Sequence, residues 1–328
     1  MPKGSAVESN GWRGRYLWLD GIVLAYSAWV ALLVLGFPQN VPKALSIVAF
    51  HLSVMTAILV LPPRGAAWER ASAEEASWKR HVRGGLRFFR YSYPLLLILF
   101  YFEEVEHTVH AIRPAPPHWF EQYLYADDRF LFGELPAILL DPHVGIVQNE
   151  ILHAFYLSYY FILVGGVVLA WLGSPGVRNP GPAFQSTLTS AITAFFLCFV
   201  WYPFLPARGP WENGDLMATL TPFEGAFFVP LIEKIIAAGS VSGGCFPSSH
   251  VAGSWGIVFG LSGSHRRAAL AMGFFAAGMS LACVYTRYHH AVDVPAGFFA
   301  GLSGALIARR WGSGGPGSST RSGGATPR

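Results

Sequence analysis

The stretch AALAMGFFAAGMSLACVYTRYHHAVDVPAGFFAGLSGALIARR, Ala268 to Arg310, holds two apolar runs joined by a polar hinge. Ala268–Tyr288 and Ala291–Ala308 each approach the roughly 20 mostly apolar residues that a helix needs to cross a bilayer. The hinge, Tyr285-Thr286-Arg287-Tyr288-His289-His290-Ala291-Val292-Asp293, places ionisable groups where the chain leaves one run and enters the next. Backbone inside lipid must satisfy its own hydrogen bonds, and a helix does so. The stretch therefore reads as two spanning helices turning at a charged joint.

Working outward, about eight such runs are found. The other six are Tyr16–Gly36, Val41–Leu61, Tyr91–Ile112, Glu150–Gly173, Gln185–Pro206 and Ser248–Gly263. Ser248–Gly263 is short and rich in small residues, which let helices approach closely in lipid, so it is expected at the centre. The first run lacks a small-residue cleavage site and reads as an anchor. Composition agrees: 52% of the 328 residues are hydrophobic and only 13% are charged, about half the usual charged share, and the mean hydropathy is +0.39. Cys198, Cys245 and Cys283 fit neither a disulfide framework nor a zinc knuckle and read as buried small residues.

The fold class expected is all-α: a polytopic transmembrane bundle with a six-helix catalytic core. Residues 1–90 supply two leading transmembrane helices and a basic cytoplasmic loop, 91–311 the core, and 312–328 a Gly/Ser-rich disordered tail. With the N-terminus inside, the inner segments carry Lys3, Arg13, Arg15, the basic group from Arg64 to Arg90, Arg178, Arg266, Arg267, Arg309, Arg310, Arg321 and Arg328. The outer ones carry Lys43, Arg113, Arg129, Arg208, Lys234 and Arg287, roughly 17 against 6. Both termini are thus expected in the cytoplasm. The net charge of +4 is explained by this bias and asks for no nucleic acid. The bias suits a bacterial inner membrane or an endomembrane, and the Gly, Pro and Arg content leans to the bacterial one. The long outer segments Arg113–Asn149 and Gly209–Gly244 are expected to be functional, the first with short interfacial helices.

Under this topology three stretches meet at the outer face: Pro206-Ala207-Arg208-Gly209-Pro210, Gly244-Cys245-Phe246-Pro247-Ser248-Ser249-His250 and the hinge. His289 and Asp293 are four apart, which on a helix gives one face. A carboxylate there fixes the imidazole tautomer and leaves the second nitrogen free to attack. His250 suits a proton donor to a leaving alkoxide. Arg208 and Arg287 suit a clamp on phosphate oxygens. Pro247, Ser248 and Ser249 suit an anion site at a helix start. With that positive field no metal or other cofactor is required. Each residue also has a plain reading, as an interfacial histidine, a flanking cation or a helix cap. Their conjunction on one face favours phosphoryl transfer.

The second and third stretches resemble two signatures of the type 2 phosphatidic acid phosphatase superfamily, nearest the branch of inositol phosphorylceramide synthase. The resemblance runs from about Tyr91 to Ala308. It implies a histidine nucleophile at His289 rather than His290, an orienting Asp293, a general acid His250 and a phosphate ligand at Ser248 or Ser249. The first signature's Lys is absent, with Trp201 in its slot, and Cys283 replaces an Arg of the third. Both departures fit the synthase-like branch. The resemblance implies a metal-independent hydrolase or transferase working through a phosphohistidine. Its substrate would be a membrane lipid, and its acceptor water or an alcohol such as inositol. A transporter of anionic solutes and a silent lipid-head-group binder are the competing classes; turnover lost in His289→Ala separates them. In Tyr91–Ile112, Glu106, His107 and His110 are candidates for head-group selection. A metal site on Glu103, His107 and His110 and a structural network are the other readings of that cluster.

Overall fold

The computed structural model describes residues 18–60, 77–114, 119–173 and 182–312. Among them the chain is all-helical with no strand. The helices of twelve residues or more are α1 Trp18–Gly36, α2 Ala44–Val60, α3 Ser77–Thr108, α4 Glu121–Phe132, α5 Ile146–Leu172, α6 Pro182–Trp201, α7 Phe228–Gly239, α8 Ser249–Ser262, α9 Arg266–Tyr285 and α10 Asp293–Gly312. Each expected apolar run overlaps one of them, with ends that differ by several residues in most cases. Arg64, Arg70, Arg178 and the 313–328 tail lie outside the described residues.

Four stretches are long and apolar enough to cross a membrane: Trp18–Gly36, Ile146–Leu172, Ala183–Trp201 and Arg266–Tyr285. α2 is apolar but shorter, at 17 residues. α3 begins at Ser77, well before the expected Tyr91, because a basic first half runs into the apolar half without a helix stop, Pro94 lying inside the helix. The outward faces are apolar: Leu32, Phe161, Phe274, Leu281 and Phe299 are all exposed. A stable water-soluble surface does not carry that much contiguous apolar area, whereas lipid accepts it.

α8 is central. It packs against α6, α10, α9 and α5, and ten of its fourteen residues are buried. At about 1.5 Å per residue it is only some 21 Å long, shorter than a hydrocarbon core. Its small residues explain the position. A Cβ on Gly260 would lie 2.5 Å from the Thr187 Cα of α6, and one on Gly256 2.9 Å from the Ala191 Cα. α1 and α2 pack on one another and α1 also meets α6 and α3. Polar side chains join this pair to α3. Asp20 accepts from Arg90 Nη1 and Nη2 at 3.0 and 2.8 Å and from the Tyr93 hydroxyl at 3.0 Å. His51 meets Glu104 at 2.8 Å. Such pairs keep buried charges from standing alone.

Short helices lie in both long connections, as expected for Arg113–Asn149. α4 and α7 are amphipathic, and α4 shows Tyr123, Phe130 and Leu131 to the outside. These connections cover the end of the bundle where α8 and α10 begin.

Candidate active site

Backbone bonds stitch three loops together at that end. Ala207 N–H donates to the Gly243 carbonyl at 3.3 Å, and Cys245 N–H to the Ala207 carbonyl at 3.1 Å. Trp211 N–H donates to the Arg287 carbonyl at 2.9 Å. Gly209 is required here: a Cβ would lie 2.3 Å from the Tyr288 carbonyl oxygen. Ser248 caps α8, its Oγ accepting from the Val251 N–H at 3.4 Å. Pro247 therefore stands just outside the first turn.

His289 lies in the turn before α10, with Asp293 as the first helical residue. The pair is thus made by a turn rather than by one helical face, as its spacing had suggested. Asp293 Oδ2 folds back to accept the His290 N–H at 2.9 Å and faces His289 Nδ1 at 3.1 Å. A fully buried carboxylate on Nδ1 places the proton there, so Nε2 presents its lone pair. That nitrogen stands 3.1 Å from Ser248 Oγ and 3.5 Å from His250 Nδ1. His250 Nε2 lies 3.3 Å from the Tyr156 hydroxyl. Asp293, His289 and His250 thus form a continuous line, and both histidines reach a cavity of about 510 Å³. Ser249 lines it too, while Ile98, Leu99, Phe102, Phe195 and Phe199 form an apolar wall.

His290 points elsewhere. Its Nε2 donates to the Arg208 carbonyl at 3.1 Å and its Nδ1 lies 3.6 Å from Asp128 Oδ2. Burial alone pushes this imidazole down, but the Asp128 and Asp293 carboxylates outweigh it and hold its pKa above the ordinary value. A group raised on folding adds stability that is complete below the unfolded pKa and fades as pH rises through the folded one. Wild type should therefore melt above His290→Gln by the widest margin below about pH 6.5, the margin shrinking at higher pH. Melting curves in detergent across pH check this, and a margin that widened with pH would contradict the pairing.

Asp128 was not expected. From α4 it also accepts the Ala291 and Val292 N–H groups at 3.2 and 3.1 Å, fixing the hinge backbone. No local pattern marks it, because its partners are more than 160 residues away in sequence. Cys245, expected as a buried small residue, is buried and also donates its thiol proton to Asp293 Oδ2 at 2.9 Å. Burial and that carboxylate raise its pKa well above the ordinary thiol.

The two arginines expected on phosphate are not brought to the cavity. Arg208 donates from Nε and Nη2 to Glu121 Oε1 at 2.8 and 2.5 Å, with its guanidinium 4.8 Å over Trp119. Arg287, in the left-handed region with φ of 65°, is 1% exposed. It donates to Asp141 Oδ1 at 2.8 Å and to the Thr221 carbonyl at 2.9 Å, and stacks 4.3 Å over Phe223. Burial lowers its pKa, with Asp141 opposing. Both cations answered a carboxylate remote in sequence before any ligand. Arg287→Met should cost about 3 kcal/mol of stability, with part regained in the double variant Arg287→Met, Asp141→Leu. Denaturation midpoints read this; a raised KM with unchanged stability would return Arg287 to the phosphate.

The α3 cluster divides. Glu106 lines the cavity beside Glu103. His107, about 100° further round the helix, faces Lys43 Nζ at 3.3 Å. His110 lies beyond the helix end, edge-on to Trp119 at 4.7 Å. The metal set once drawn from Glu103, His107 and His110 is thereby dispersed. Among the described residues Cys245, His289 and Asp293 offer ligand atoms within 4.8 Å of one another. Those atoms already bond to one another, so a cation there would have to displace the Nδ1 and thiol protons.

The sequence model of a family described as the PAP2 superfamily matches residues 128–307. No curated protein and no solved structure matches the chain. The family match spans more than half of the sequence and takes in Ser248, His250, His289 and Asp293 alike. The chain belongs to the PAP2 superfamily, that of the type 2 phosphatidic acid phosphatases.

Proposed function

We propose that the protein transfers phosphoryl groups from lipid-linked phosphate esters through a phosphohistidine at His289. Members of the superfamily are phosphatases and phosphotransferases, and four membrane-compatible helices fit an integral membrane enzyme. The observation that carries the reading is the line Asp293–His289–His250 at the cavity wall. A nucleophile oriented by one group and adjoining a proton carrier is the arrangement covalent catalysis needs.

In the first step His289 Nε2 bonds to phosphorus as the bond to the leaving alcohol oxygen breaks. His250 gives that oxygen its proton. In the second step water or another alcohol bonds to phosphorus, its proton passes to His250, and His289 is released. The start of α8, with Ser248 and Ser249, supplies N–H groups for the phosphoryl oxygens. With water the enzyme is a phosphatase; with an alcohol such as inositol it is a synthase-like transferase. The positive-inside bias supports cytoplasmic termini and a cavity opening outward, and the Gly, Pro and Arg content supports a bacterial inner membrane.

Trapping tests the reading. Purified protein in detergent, quenched during turnover of a lipid labelled at phosphorus, should retain a label that is acid-labile and alkali-stable. His289→Ala should carry none. A label of the same amount on His289→Ala would end the proposal.

A further inference from the structure

We infer that the cavity is built for a phosphodiester whose head group carries an ammonium ion. The inference rests on the phosphoryl-transfer reading above and adds the substrate class. Its starting point is the charge on the wall. Glu103, Glu106 and Glu212 line the cavity, and among the described residues no Lys or Arg does. The cations that a phosphomonoester dianion would seek are engaged elsewhere, Arg208 by Glu121 and Arg287 by Asp141.

The three carboxylates differ in how they are held. Glu212 accepts the Gly209 N–H at 3.1 Å and the Ser242 hydroxyl, and burial raises its pKa. Glu103 and Glu106 are exposed to the cavity and have no hydrogen bond or ion pair among the described residues. They stand three apart on α3, so they face the same way. Glu104 between them turns inward to His51. Two unpaired carboxylates on the wall of a cavity lined largely by aromatic and aliphatic side chains are costly unless a ligand brings the opposite charge.

Another part of the same cavity wall suits one negative charge. There the α8 N-terminus and the histidines meet the phosphoryl group, and a diester carries a single charge where a monoester carries up to two. The rings of Tyr159, Tyr160, Trp211 and Tyr288 line the cavity as well. Aromatic faces attract ammonium groups, methylated ones included. A neutral polyol head would hydrogen-bond to the carboxylates but leave their charge uncompensated. A zwitterionic diester matches both features of the wall at once, which is how charge complementarity selects a ligand.

The test uses the full-length protein in mixed micelles with four lipids of one acyl composition. These are phosphatidylethanolamine, phosphatidylcholine, phosphatidylglycerol and phosphatidic acid, all labelled at phosphorus. An ammonium-headed lipid should exceed the glycerol-headed one and the monoester in kcat/KM by about tenfold or more. Glu103→Gln with Glu106→Gln should shrink that ratio to within about threefold. Preference for phosphatidylglycerol or phosphatidic acid, or a ratio unmoved by the double variant, would overturn the inference. Tryptophan fluorescence titrated with soluble dihexanoyl phosphatidylcholine and its glycerol-headed analogue gives a readout independent of chemistry. Selective binding of the choline lipid, lost in the double variant, with no turnover of any lipid would uphold the head-group assignment and remove the phosphoryl-transfer reading. Equal binding of both lipids would remove the head-group assignment.

Discussion

His289→Ala is expected to lower turnover by about ten-thousand-fold or more while leaving the melting temperature within a few degrees of wild type. The size follows from the absence of a substitute. Among the described residues His250 is the other imidazole on the cavity, but its Nε2 faces the Tyr156 hydroxyl and no carboxylate there bonds to it. His290 is turned to Asp128 and the Arg208 carbonyl. Ser248 Oγ stays close, yet without His289 it has no base beside it. The tolerance of the fold follows from position, since His289 sits in the turn before α10 rather than within a helix. Asp293→Asn should cost less, roughly a hundred- to ten-thousand-fold. The amide oxygen can still accept from the His290 N–H and His289 Nδ1, and the amide nitrogen would take the place of Oδ1, which has no partner. What the amide lacks is the charge that steadies a cationic or phosphorylated imidazole. Turnover and melting curves on the three proteins decide it. Retention of more than about a tenth of wild-type turnover in His289→Ala would discard the nucleophile.

The architecture was legible because lipid imposes long apolar runs, and a run of that length admits only a helix. The central place of α8 was legible for a related reason: Gly253, Gly256 and Gly260 leave a helix with no bulk to hold neighbours away. His289 and Asp293 were found as a pair, although the turn that joins them depends on Asp128 and on Asp293 folding back on His290 N–H. The carboxylate partners of the arginines were not legible because a cation's partner is chosen in space. Asp141 and Arg287 are 146 positions apart and Glu121 and Arg208 are 87 apart. In the glutamate run, helical rotation separates neighbours: Glu103 and Glu106 meet the cavity, Glu104 meets His51. The same charged run, read only as a cluster, does not show which members stay unpaired.

Gly260→Val is expected to remove most of the folded protein, with a loss on the order of 3 kcal/mol, whereas Gly273→Ala is expected to leave it intact. A Cβ at Gly260 meets the Thr187 Cα at 2.5 Å and the Thr187 N at 3.3 Å. These are backbone atoms, so no rotamer change relieves the clash and α8 must move away from α6. Gly304 of α10 makes a like approach, 2.4 Å from the Ser190 carbonyl to its notional Cβ, and the three helices thus share one tight seam. Gly273 of α9 is a fair control, since its Cβ would sit 3.6 Å from Val258 Cγ1, in ordinary contact, and alanine favours the helix by about 1 kcal/mol. The monodisperse fraction after detergent extraction and the melting temperature read both variants. Equal melting of Gly260→Val and Gly273→Ala would show that the seam is looser than drawn. The effect should reach the chemistry through the α8 start. His250 rides on α8 and Asp293 on α10, so a shift of about 1 Å between them opens the 3.5 Å approach of His250 to His289 and costs on the order of a hundredfold in rate. Whatever Gly260→Val protein does fold should therefore turn over slowly with its head-group preference unchanged, because Glu103 and Glu106 stand on α3, away from the seam.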